Sequence, residues 1–476
     1  METAMYLKRF FATLCALSLT CVALVPPALS QDVKPAPQKE QPPEGGKPKP
    51  FTLPQRETIT LPNGMKATLV QYGTIPKVAI SVIVRAGKLN ESASQVWLSD
   101  LTGNMMKEGT TSRSSAAVAE EAASMGGSLD LTVGPDQTIL FGDVLSEFGP
   151  RFVRLTADVV QHPLLPEKEL ARIKNNLTRV LTISKTQPGL LALERFRKIL
   201  YPNHAYGRYF PTEQMIESYT IADVQKFYRD NFGAARTHIF IAGRFDPTEM
   251  KKAIREAFEA WPRGPEPLED IPKPTVGRTL QLIDRPGAAQ STIYVGLPVI
   301  YPSHPDYMAL LVTNTLLGGS FASRITSNIR EQKGYTYSPN SSVSTRYRDA
   351  YWTEVADVTT SVTGASLKEI FYEIDRLQKE PPTEKELNGI KNYLAGIFVL
   401  QNSSREGVIN QLSFLNLHRL PDKYLTDYVQ NIYAVTPQEV QRIAQTYLQP
   451  DKMAIVIVGD REKIAKDVSA FGQIVN

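Results

Sequence analysis

A chain of 476 residues with a formal charge of +4 is too long for one hydrophobic core and too evenly charged for a dedicated nucleic-acid binder. Its two cysteines, Cys15 and Cys21, sit at the extreme start, so no disulfide framework supports the rest. The body must rest on packed apolar cores.

Lys8 and Arg9 precede an apolar run from Phe10 to Val25, followed by Pro26, Pro27 and the small-residue site Ala28-Leu29-Ser30. This order predicts a secretory signal peptide over residues 1–30. The run is short for a membrane span of roughly 20 residues, so no integral membrane segment is expected once the signal is removed. Removal of its net +1 leaves +3, and the cysteines leave with it. An exported, periplasmic protein is expected. Residues 31–55 are rich in Pro, Lys, Gln and Glu, a composition that predicts a disordered tether.

Beyond the tether the pattern is mixed. VAISVIV (78–84), QTILFGDV (137–144), STIYVGL (291–297) and YWTEVAD (351–357) read as strands. Helical periodicity lies near 95–107, 114–125, 166–184, 304–317, 366–379 and 384–400. Strands often neighbour strands, which favours an α+β fold with a mainly antiparallel sheet over a doubly wound one.

The chain also repeats itself. The segment from Thr220 to Gly243 matches that from Thr436 to Gly459, each with a capping Thr, an acidic residue three later (Asp223, Glu439), a Val-Gln pair and a closing apolar strand. Pro437 fits the first helical position. Pro166–Asn176 parallels Thr383–Tyr393 in the same way, and the two offsets, 216 and 217 residues, agree. Five prolines within 262–275 mark a linker. Two homologous domains are therefore expected, at 56–261 and 277–476, joined by a Pro-rich linker at 262–276.

The stretch from Trp97 through Gly109-Thr110 and on to Leu131 resembles the opening of the pitrilysin/insulinase (M16, inverzincin) metallopeptidases. LPNG (61–64), VRAG (84–87) and the Ala-Tyr-Gly stretch after His204 add to the likeness. The resemblance implies two tandem LuxS-like rolls of the M16 metallopeptidase kind. In that family H-x-x-E-H on one helix supplies two zinc ligands and the base that activates the bound water. Counting back from Gly109-Thr110, the three positions are Asp100, Gly103 and Asn104. The family's third ligand, a Glu on the helix near 168–186, is missing too, since no Glu lies between Glu169 and Glu194. The five histidines include no i, i+4 pair. No metal and no catalytic residue is expected in this chain.

The second half keeps what the family uses to hold peptide. Arg330 is followed seven residues later by Tyr337, with Tyr335 a close competitor, and Gly318-Gly319 precede them. A guanidinium and a phenol are suitable donors to a carbonyl oxygen, whereas the plainer reading is an ion-paired Arg and a core Tyr. The glycines fit either a peptide-guiding loop or an ordinary helix cap. The resemblance thus implies a non-catalytic subunit that supplies Arg330 and Tyr337 to a zinc-bearing M16 partner. The alternative is a peptide-binding or structural assembly protein without peptidase activity.

Overall fold

The computed structural model describes residues 51–475. The predicted signal peptide and most of the predicted tether lie outside the described residues. Of the tether's last residues, Phe51 and Leu53 pack on the body, with Phe51 edge-on to Phe398 at 5.0 Å.

The strands predicted from the sequence all form, with others beside them. In the first half these are β1 (Arg56–Thr60), β2 (Lys66–Gln71), β3 (Lys77–Val84), β4 (Asp130–Val133), β5 (Thr138–Leu145) and β6 (Thr237–Gly243). In the second half they are β7 (Thr279–Asp284), β8 (Gln290–Val299), β9 (Asn340–Arg346), β10 (Asp349–Thr359), β11 (Ala454–Gly459) and β12 (Ile474–Val475). Two six-stranded mixed sheets result, ordered β1-β2-β6-β3-β5-β4 and β12-β7-β11-β8-β10-β9. Five strands of each follow one plan: β2-β6-β3-β5-β4 repeats as β7-β11-β8-β10-β9. The parallel pair recurs too, β2 with β6 and β7 with β11. Only the edge differs, being antiparallel β1 in one sheet and parallel β12 in the other.

Helix ends follow local chemistry. Thr220 and Asp223 exchange bonds in a capping box, as do Thr436 and Glu439, so two backbone N–H groups at each of these helix starts have partners. Helix α1 (Leu98–Met106) begins later than its periodicity suggests, because Trp97 adopts a left-handed conformation at φ 70°. The other helices used below are α2 (Glu167–Ser184), α3 (Pro188–Leu200), α4 (Tyr307–Leu317), α5 (Glu384–Gln401) and α6 (Arg405–His418).

β11 is buried along its whole length and β3 along nearly all of it, so both faces of each sheet must be covered. One face packs on helices of its own half. The other face is covered by a helix from the opposite half. Phe196 and Leu200 of α3 pack on Tyr351, Val456 and Val458 of the second sheet. Val408, Ile409, Leu412 and Leu415 of α6 pack on Val70, Ala79, Ile83 and Phe240 of the first. The two exchanged helices start 217 residues apart, in register with the internal repeat.

Polar groups fasten the same seam. Arg405 of α6 makes a two-pronged ion pair with Asp143 of β5, at 2.9 and 3.0 Å, and Lys77 of β3 adds a bond at 3.1 Å. Burial alone would raise the Asp143 pKa, but these cations hold it below the usual carboxylate range. The Ala-Tyr-Gly stretch also lies here. Tyr206 donates to the Asp136 carboxylate, which also accepts from the Tyr347 backbone N–H at 3.3 Å.

Phe196 tests the exchange directly. A Cβ on Gly296 would come within 2.8 Å of its Cζ, so the ring lies flush on the other half's strand. Phe196→Ala is expected to destabilise the protein by about 3–5 kcal/mol, the cost of an unfilled aromatic site. Chemical denaturation should show one shifted transition for both halves. A transition confined to one half would mean that the halves are not held by the exchanged helices.

Candidate functional site

The helix that carries zinc ligands in the resembled family is α1, and its key positions are occupied by packing and pairing. Asp100 pairs with Lys88, Nζ to Oδ2 at 3.1 Å. Burial raises the Asp100 pKa and Lys88 opposes the rise. Asn104 donates its amide to the Asp100 backbone oxygen at 2.9 Å, so it serves its own helix. Gly103 faces β4 at close range. A Cβ there would lie 2.6 Å from Val133 Cγ2 and 3.1 Å from Leu131 Cδ2. Apolar side chains thus fill the space into which a longer side chain at position 103 would extend.

On α2, Ile173, Leu177 and Leu181 join Leu101 and Met105 in one apolar core. The histidines are scattered. His162 is largely exposed beside Asp158, and His204 faces Asp270 at 3.3 Å. His238 bonds Thr68 at 2.8 Å, His304 accepts from the Asp306 backbone N–H, and His418 packs on Phe414. Among the described residues no group of three or more His, Cys, Asp or Glu could hold a metal ion. The residues present do not fit zinc, which needs three or four well-placed nitrogen, sulfur or oxygen donors.

One acid at the mouth of α1 escaped the sequence reading. Glu91 accepts from the Ser99 backbone N–H at 2.9 Å and from the Ser99 hydroxyl, and so caps the helix. Burial pushes its pKa up to about 7, against the pull of the Ser99 bonds and with a small push from Asp100. It lies nine residues before Asp100, the first motif position, where no spacing rule would have found it.

In the second half, the chain from α4 to β9 brings Gly318, Gly319, Arg330 and Tyr337 into one region. Arg330 sits on a π-helical segment, Thr326–Gln332. Its guanidinium lies 4.5 Å from the Phe321 ring and 4.8 Å from the Tyr337 ring, a sandwich of two aromatic faces on one cation. Both rings are open to solvent, Phe321 at 66% and Tyr337 at 80% exposure. Arg330 Nε also meets Glu331 at 3.2 Å. Gly334, at φ 66°, turns the chain back so that Tyr337 returns to Arg330. Tyr335 is drawn inward against the second core, so Tyr337 is the tyrosine beside the guanidinium. Arg324 is structural, bonded twice to Glu386 at 2.7 and 3.0 Å.

The two glycines close α4, since both of their N–H groups donate to the Asn314 oxygen, at 3.0 and 2.9 Å. Close approach also demands them. A Cβ on Gly318 would lie 2.5 Å from Glu354 Oε2 and 2.7 Å from Ser341 Oγ, and one on Gly319 would lie 2.6 Å from Asn314 Nδ2. Glu354 itself is fully buried in β10, and neither carboxyl oxygen has a hydrogen-bond partner among the described residues. Burial drives its pKa well above the ordinary range. The alternating strand YWTEVAD gave no sign that its glutamate points into the core.

These placements predict two stability effects. Gly103→Glu should cost about 1–3 kcal/mol by overpacking against Val133, read as a lower denaturation midpoint. A fully stable variant that gained zinc would show that β4 yields easily. Glu354 has a folded pKa above its unfolded one, so the parent loses stability as pH rises from the ordinary Glu range toward the folded pKa. The loss is about 1.4 kcal/mol per pH unit in that window. Glu354→Gln should abolish that slope and melt higher than the parent at alkaline pH. Parallel melting-versus-pH curves for the two proteins would contradict this account of Glu354.

Comparison with known proteins agrees with this anatomy. Residues 67–210 match the family model described as insulinase (peptidase family M16), and residues 218–394 match that of the peptidase M16 inactive domain. A solved structure of a peptidase M16 inactive domain from Pseudomonas fluorescens superposes with a TM-score of 0.79 at 26% identity, covering 85% of this chain and 98% of that one. A protease from Helicobacter pylori shares the fold with a TM-score of 0.81 at 18% identity, over 86% of this chain and all of that one. The uncharacterized zinc protease YmxG of Bacillus subtilis is 24% identical over 82% of this chain and 95% of its own length. With both halves matched, the chain belongs to the insulinase (M16) peptidase family.

Proposed function

We propose that this protein is the peptide-gripping, zinc-less subunit of an exported two-chain peptidase. The single observation that carries this reading is Arg330, partly exposed and held between the solvent-open rings of Phe321 and Tyr337. An arginine kept for structure is buried and bonded twice to a carboxylate, as Arg324 is to Glu386. Arg330 instead offers its face to two exposed rings and keeps N–H donors for a ligand. A peptide backbone carbonyl in this place would receive charge-assisted bonds, which are about twice as strong as neutral ones.

Zinc and the water-activating base would come from a zinc-bearing M16 partner, because Asp100, Gly103 and Asn104 cannot supply them. The first 30 residues would export the chain, so the partner would be exported as well. Among the described residues no helix is long and apolar enough to cross a membrane.

The test is complementation. The mature chain alone should cleave no peptide and carry no stoichiometric zinc. Mixed with an exported zinc-bearing M16 relative, it should raise peptide cleavage, and a chelator should abolish the activity. Arg330→Ala should lower kcat/KM of the complex about 10–100-fold, the loss of a bond of about 1.5–3 kcal/mol from a charged donor. Tyr337→Phe should lower it less. Chelator-sensitive cleavage by the isolated chain, or full activity of the complex with Arg330→Ala, would overturn the proposal.

A further inference from the structure

The end of α4 opposite Gly318 borders a different pocket. The 11 residues of α4 put Tyr307 about 15 Å from the glycine pair, so this pocket is separate from the Arg330 region. It has a volume of about 540 Å³ and lies between α4, the end of α5, the start of α6 and the residues that follow α6.

Its walls are aromatic. Tyr307, Phe398, Phe414, Tyr424 and Tyr428 all line it. Phe398 stacks on Tyr428 at 4.3 Å, and Phe414 meets Tyr424 at 5.8 Å. Five rings around one space give it an aromatic lining. Tyr307, Tyr424 and Tyr428 lie close enough to influence one another's ionisation, and burial raises the pKa of each, that of Tyr428 to about 12. All three are therefore neutral phenols. None of their hydroxyls has a protein partner among the described residues.

Charge at the mouth is one-sided. Glu406 is the only Asp, Glu, Lys or Arg among the lining residues, and it forms no ion pair. It stands in the first turn of α6, where the helix N-terminus favours a carboxylate. The cations on neighbouring turns are committed elsewhere, Arg405 to Asp143 and Lys423 to Asp427. The amides of Gln401, Asn410 and Gln411 also line the pocket without side-chain partners.

We propose that this pocket binds an organic cation, namely an alkylammonium head group. Ring faces attract a cation that has shed part of its water. Glu406 neutralises its charge, and the phenols and amides accept N–H bonds where the ammonium has them. A carboxylate or phosphate ligand would instead meet π faces and an unpaired glutamate. The ammonium has two sources, a free quaternary amine or the lysine side chain of a polypeptide, and they share this chemistry. The site is independent of Arg330 and of any peptidase partner.

Calorimetric titration of the mature chain separates the outcomes. Choline probes the quaternary form, Nα-acetyl-lysine methylamide the lysine form, and 3,3-dimethylbutanol is the neutral isostere of choline. At least one ammonium should bind saturably, about tenfold or more tighter than the neutral isostere, and the tighter of the two names the source. Glu406→Gln, a change at an exposed position, should erase about tenfold of the ammonium's affinity and leave the isostere unaffected. Phe414→Leu should weaken the same ligand while circular dichroism reports an intact fold. Equal binding of choline and its isostere, no saturable binding of either ammonium, or indifference to Glu406→Gln would overturn the proposal.

Discussion

The structure depends on one exchange: each sheet has its second face covered by a helix belonging to the other half. A strand such as AIVIVG, apolar on both sides, cannot be left half-bare to water, and each half has only enough helix on its own side to cover one face. Fully burying a large apolar side chain is worth about 1.5–3 kcal/mol, so the residues of α3 and α6 together outweigh any single polar contact at the seam. The Arg405–Asp143 pair and the Tyr206–Asp136 bond add direction to that attraction. The two sheets therefore act as one body, and the residues around α1 and the Arg330 region are held on a common frame.

On that frame the two halves have been treated differently. In the first, the positions that hold metal in related enzymes have returned to ordinary protein packing. A glycine lets β4 settle on α1, a lysine satisfies the aspartate, and the asparagine amide turns back to its own helix. In the second, a partly exposed arginine lies between two solvent-open rings, outside the apolar core.

Much of this could be read from the chain. The alternating or apolar runs of β3, β5, β8 and β10 and the helical period of α1, α2, α4 and α5 placed those elements within a few residues. The Thr-acid pairs at 220 and 436 formed the capping boxes that their spacing implied. The matched offsets anticipated a shared five-strand plan. The exchanged helices were not legible, because nothing in the local pattern of α3 or α6 says whose sheet receives its apolar side. Glu91 and Glu354 were missed for a related reason. Each is buried by segments distant in sequence, and a glutamate reads as a surface residue until those segments arrive. That Tyr337 rather than Tyr335 stands beside Arg330 goes with the left-handed turn at Gly334, a conformation that sequence permits without requiring.

The contact of Phe196 with Gly296 ties together positions a hundred residues apart that belong to different copies of the repeat. Once duplicated, the copies were no longer free to drift separately, since an enlarged side chain at one partner had to be accommodated by the other. A chimaera that joins the first half of this chain to the second half of a relative would inherit two seams cut to different patterns. Such hybrids should be drawn around α3 and α6, each kept with the sheet it covers, rather than at the proline-rich junction.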